Sequence, residues 1–128
     1  MLVRHVKTIL LITGLITLSA AIALIAPGLF KAVNQIAVDD PVGLFFMRHW
    51  GLEVACVGGL LIWAAFDARV RVPVLWAAIV GKAGFVVLLL AQAGNPAFAG
   101  MKPTLWFDAI CVLLFAGYLW QARRTGPT

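Results

Sequence analysis

Four long apolar runs divide this chain, and they leave it little freedom to fold as anything but membrane-spanning helices. Crossing about 30 Å of hydrocarbon takes roughly 20 residues at the ~1.5 Å rise of a helix. In lipid a backbone must also satisfy its own N–H and C=O groups, which an α-helix does within a single segment. Composition agrees: 12% of the 128 residues are charged and 63% are hydrophobic, where a soluble domain carries about 25% charged residues. These residues leave no room for a separate soluble catalytic domain. The net charge of +5 comes from basic residues scattered at the ends of apolar runs. They form no patch of the kind that binds nucleic acid, so no nucleic-acid partner is expected.

The first run, Thr8 to Ala26, follows Arg4, His5 and Lys7, and Ala21-Ile22-Ala23 has the small residues of a signal-peptidase site. Its length favours an uncleaved first transmembrane helix, about 7–27, ended by Pro27-Gly28. Lys31 to Asp40 is the longest polar connection. Asp40 as N-cap and Pro41 at the first helical position open a second helix, 41–66. Gly51, Ala55 and Gly59, spaced by four, form a small-residue stripe for close helix packing. A charged turn, Asp67 to Pro73, leads to a third helix, 73–92, in which Ala77 and Gly81 repeat the small-residue spacing. A loop around Gly94-Asn95-Pro96 leads to a fourth, 104–122, and a polar tail expected to fray from Arg123.

The expected fold is therefore all-α: an integral membrane antiparallel four-helix bundle, one domain over residues 1–128. Arg4, Lys7, Arg69, Arg71, Arg123 and Arg124 fall at one face, against Lys31, Arg48 and Lys102 at the other. That asymmetry places both termini in the cytoplasm. Trp63, Trp76 and Trp120 then mark the inner interface, and Trp50 and Trp106 the outer one.

Ionisable groups inside apolar helices are costly and usually face other helices or water, so they are the place to look for function. The candidates for a ligand site open to the outer side are Arg48, His49, Glu53, Lys82, Gln92 and Asp108. His49 and Glu53, four apart, share a helix face, whereas Arg48 points about 100° from His49. Folding the chain near Arg69 and near Phe98 puts Glu53 and Asp108 at similar depth, with Lys82 as a deeper floor. Glu53 is then the natural partner for Lys82, about 6 Å away along the axis. Their side chains lean in opposite directions, leaving a direct pair, a water-linked pair and a neutral lysine all open. Helix-to-helix glue is the competing role for Glu53, Lys82 and Asp108. Arg48, His49 and Asp108 lie near enough to the surface to act as snorkelling anchors.

Catalytic and metal residues are not expected. The chain has no nucleophile elbow, phosphate-binding loop, metalloprotease motif or dinucleotide fingerprint. Its two histidines, His5 and His49, belong to opposite membrane faces and do not suit bis-histidine haem ligation. Cys56 and Cys111 lie within apolar runs and read as small buried hydrophobes rather than as a redox pair.

The size, the basic N-terminus, Arg48 opening helix two, Gly51, the Gly58-Gly59 pair and the charged turn Asp67 to Arg71 resemble the DoxX-like group of small bacterial four-helix membrane proteins. The resemblance implies the bacterial inner membrane and an accessory role in a redox- or quinone-linked complex. The expected partners are the lipid bilayer and a homo-oligomer or larger membrane complex. No cofactor is required by the sequence. The alternative function is binding or transport of a quinone, a lipid or a proton-coupled small molecule through Glu53, Lys82, His49 and Asp108.

Overall fold

The computed structural model describes residues 1–125, with side chains to 124, and they contain helices and no strand. Four spans, Leu2–Ile25, Pro41–Phe66, Ala68–Leu90 and Pro96–Arg124, are long and apolar enough to cross a membrane. They point to a multi-pass membrane protein whose outward apolar side chains contact lipid.

The first span is α1 (Leu2–Leu18), a 3₁₀ turn (Ser19–Ala21) and α2 (Ile22–Ile25). It begins five residues before the expected 7–27, because Leu2 donates its N–H to Gln121 Oε1 at 3.2 Å and so ties down the first turn. Ala26 leaves the helical region (φ −133°, ψ 68°), as the following Pro27 demands. The connection beyond it is not simply a polar loop. Pro27 opens a second short helix, α3 (Pro27–Asn34), which ends at Gln35 in the left-handed region (φ 54°). Lys31 then ties down the remaining loop, donating to the Val38 carbonyl (3.1 Å) and the Asp39 carboxylate (2.5 Å).

Helix α4 (Pro41–Phe66) has the expected bounds, and the Asp40 carboxylate caps it by accepting from the Gly43 N–H at 2.7 Å. The expected turn at 67–73 shrinks to one non-helical residue, Asp67, whose carboxylate accepts from the Arg69 N–H at 3.0 Å. Helix α5 therefore covers Ala68–Leu90 rather than 73–92, with Pro73 inside its opening turns. The outer loop folds partly as a 3₁₀ segment, Pro96–Met101, capped by Asn95. Helix α6 (Lys102–Thr125) then begins two residues before the expected 104 and continues through the tail expected to fray. Residues 126–128 of that tail lie outside the described residues.

Small residues set the α1–α4 contact. A Cβ on Gly58 would run into the Leu18 backbone and the Gly14 carbonyl, and one on Gly51 would meet Ala23 and the Ala20 carbonyl. Numbers that rise along the first span thus meet numbers that fall along α4. The stripe is Gly51, Ala55 and Gly58; Gly59, expected in it, faces open space, as does Gly81. The core lies toward the Asp67 end, where Leu10, Leu61, Leu75, Cys111 and Phe115 are almost wholly buried. Arg71 locks that end by donating from Nε to the Ala64 carbonyl (2.9 Å) and from Nη1 to the Tyr118 hydroxyl (3.5 Å). Cys111 is buried as expected, but Cys56 is exposed.

Candidate functional site

Away from that core the helices part around a cavity of about 680 Å³, within the usual size range of small-molecule pockets. Each wall is a helical stripe: Trp50, Glu53, Val54 and Val57 on α4; Ala78, Lys82 and Phe85 on α5; Thr104, Phe107 and Asp108 on α6. Residues three and four apart share a helix face, so the spacing that brings Glu53 to the cavity also brings Trp50 and Val57. Ile16, Thr17 and Ala20 close the side toward the first span, and Phe30 and Val33 of α3 cover the end beyond the core. Ala77 and Gly81 also line it; they leave space here instead of drawing in a neighbouring helix.

The cavity's central polar feature is the ion pair between Lys82 Nζ and Asp108 Oδ1, at 2.5 Å. Among the described residues these are the only buried charged groups, Lys82 being 6% and Asp108 8% exposed. Lys82 also stands over the Phe107 ring, 4.8 Å from its centroid, where the aromatic face favours a cation. The expected Lys82–Glu53 pair does not form. Asp108, expected near enough to the surface to snorkel, is instead Lys82's partner. The turns account for Asp108 but not for Glu53, which comes level with Lys82 and still does not pair with it. Arg71 against Ala64 and Phe85 against Trp50 (ring centroids 6.3 Å apart) show that α4 and α5 fold about Asp67, which brings Glu53 level with Lys82. The 3₁₀ segment moves the next reversal back toward Asn95 and brings Asp108 to the same level.

Glu53 keeps a 68% exposed side chain and stands 3.5 Å from His49 Nε2, the contact their four-residue spacing predicts. His49 itself stacks on Phe45 and, with Arg48, lines a separate hollow of about 460 Å³ beside Leu24, Leu44 and Leu52. Gln92 is exposed in the turn after α5, where its Oε1 accepts from Asn95 Nδ2 at 3.2 Å. The six candidates thus divide: Glu53, Lys82 and Asp108 meet at one cavity, Arg48 and His49 line another hollow, and Gln92 joins neither. Among the described residues no three His, Cys, Asp or Glu side chains are grouped to hold a metal ion. His5 is near the Asp67 end, where Lys7 of the same turn stands over Phe66, far along α4 from His49.

Two features escaped the sequence reading. The rings of Phe30, Trp50 and Phe85 adjoin in series, with Phe30 and Trp50 centroids 5.6 Å apart, so Trp50 is a cavity wall as well as an interfacial tryptophan. Their spacing from Glu53 and Lys82 was a usable signal for Trp50 and Phe85. The other feature is Thr17, whose hydroxyl is buried and has no hydrogen-bond partner. A threonine in an apolar run gives no warning of that. Comparison of the chain with known protein families, curated proteins and solved structures finds no match.

Proposed function

We propose that this is a small antiparallel four-helix protein of the bacterial inner membrane whose cavity binds a membrane-soluble amphiphile, with an apolar body and a polar head. The observation that carries this reading is the buried Lys82–Asp108 pair in the wall of a mainly apolar cavity. An ammonium has three donors and Lys82 uses one on Asp108. The rest and the free Asp108 oxygen give a ligand head donors and an acceptor in a setting where unmet polar groups are costly. Quinones and lipids both have the required build, and the wall residues are mainly apolar.

Both termini are assigned to the cytoplasm. The Asp67 end gathers Lys7 over Phe66, Arg71 against Tyr118 and the Leu2–Gln121 bond, together with most of the basic residues. The cavity then lies in the outer half. A second reading, an accessory subunit of a larger complex or a homo-oligomer, is favoured by Gly59 and Gly84, which face open space and offer flat surfaces to another helix. The DoxX-like resemblance leads to the same role, and the two readings are compatible.

The test uses protein purified from its native membrane in mild detergent, with bound lipophiles extracted and weighed by mass spectrometry. Replacing both pair members, Lys82→Met with Asp108→Leu, removes the charges together and leaves neither stranded. The expected result is a folded protein that no longer retains its lipophile. A folded double variant with unchanged lipophile content would overturn the ligand role, and failure of that variant to fold would assign the pair to helix packing.

A further inference from the structure

The charges around the cavity do not cancel. Lys82 and Asp108 neutralise each other, which leaves the Glu53 carboxylate, midway along the 26-residue α4 and therefore deep in the membrane. Among the described residues its one ionic contact is His49, 3.5 Å away and lining the other hollow. A carboxylate at that depth needs a counter-charge. On the same stripe Trp50 joins Phe30 and Phe85, and aromatic faces attract cations, the more strongly when water is excluded. An anionic head would meet Glu53, while the charge of Lys82 is already balanced by Asp108 even though its remaining N–H donors stay available.

We propose that the occupant of this cavity is a lipophilic cation, its positive charge held by Glu53 and the Trp50 ring at the level of the Lys82–Asp108 pair and its apolar body lying against the cavity's apolar walls. The inference rests on the cavity being a ligand site and adds the sign of the ligand's charge.

Two probes of nearly the same shape and opposite charge, tetraphenylphosphonium and tetraphenylborate, test it, with neutral triphenylphosphine oxide as the reference. Binding to the full chain in detergent is read by equilibrium dialysis and by quenching of tryptophan fluorescence. The phosphonium is expected to bind about tenfold or more tightly than the borate. Glu53→Gln is expected to remove that preference while leaving the neutral probe's affinity and the melting temperature unchanged, since the side chain is exposed and outside the core. Equal or tighter borate binding, or a phosphonium affinity untouched by Glu53→Gln, would overturn the cationic assignment. If none of the three probes binds, the ligand-site reading itself fails.

Discussion

The two halves of this molecule are built from similar residues and do opposite things with them. Toward the Asp67 turn, Leu10, Leu61, Leu75, Cys111 and Phe115 fill the space between helices, while close glycine contacts run the whole α1–α4 seam, from Gly58 near Gly14 to Gly51 near Ala20. Toward α3, large side chains line the space without filling it, and Gly81 has nothing within reach of a Cβ. In a membrane, close packing has to supply the attraction between helices, because lipid is as apolar as leucine. A gap left between helices therefore forfeits contact energy unless something else occupies it. The packed half holds the fold together, and the open half is where the proposed ligand would restore the missing contacts.

A matched pair of glycine substitutions tests that division most severely. Gly58→Leu should force α1 from α4 and cost about 3 kcal/mol or more, read as loss of monodisperse protein in detergent. Gly81→Leu, into the open half, should leave the melting temperature unchanged and abolish probe binding. If both variants fold equally well, the halves do not differ as described.

The next effect separates the ion pair from its surroundings. Lys82→Met alone strands Asp108 in an apolar site and should cost about 3 kcal/mol, whereas the double variant Lys82→Met, Asp108→Leu should recover most of that. Denaturant titration of both variants checks the difference, and equal losses would mean that the pair contributes little through its charge. Arg71→Ala, within the packed half, should cost about 1–2 kcal/mol by removing donors from the Ala64 carbonyl and the Tyr118 hydroxyl.

The smallest effect belongs to the turn. Hydrogen bonds from the Arg69 side chain and N–H hold the Asp67 carboxyl below its usual value of 3.8. A lowered folded value contributes stability above the unfolded one, lost as the pH falls through the folded value. Asp67→Asn should therefore lower the melting temperature slightly at neutral pH, and the difference from the parent protein should shrink only below pH 3.8. A difference that persists unchanged in stronger acid would assign the effect to the cap's shape instead of its charge.

How much of this was legible beforehand varies with distance along the chain. The bounds of α4 were, because Asp40-Pro41 is a local start signal and the capping bond to Gly43 is local too. Glu53 next to His49 was as well, since four residues of helix fix that contact. Helix α3 was missed although Pro27 and the Leu29, Phe30, Val33 spacing announced it; the polar residues after it drew the reading toward a loop. The partner of Lys82 was missed because depth was counted from turns placed a few residues off, and each residue of error moves a side chain about 1.5 Å along the axis.

By itself the sequence determined that four apolar helices form, where α4 starts and ends, and which ionisable groups they carry through the membrane, because propensity, capping and hydropathy act within a few residues. Only the tertiary structure decided that Lys82 meets Asp108 rather than Glu53, that Thr17 is left without a partner, and that one half closes while the other stays open. Those outcomes depend on the register between helices far apart in sequence. That register is set by the one-residue turn at Asp67, by the 3₁₀ segment before α6 and by how closely glycine lets two backbones approach.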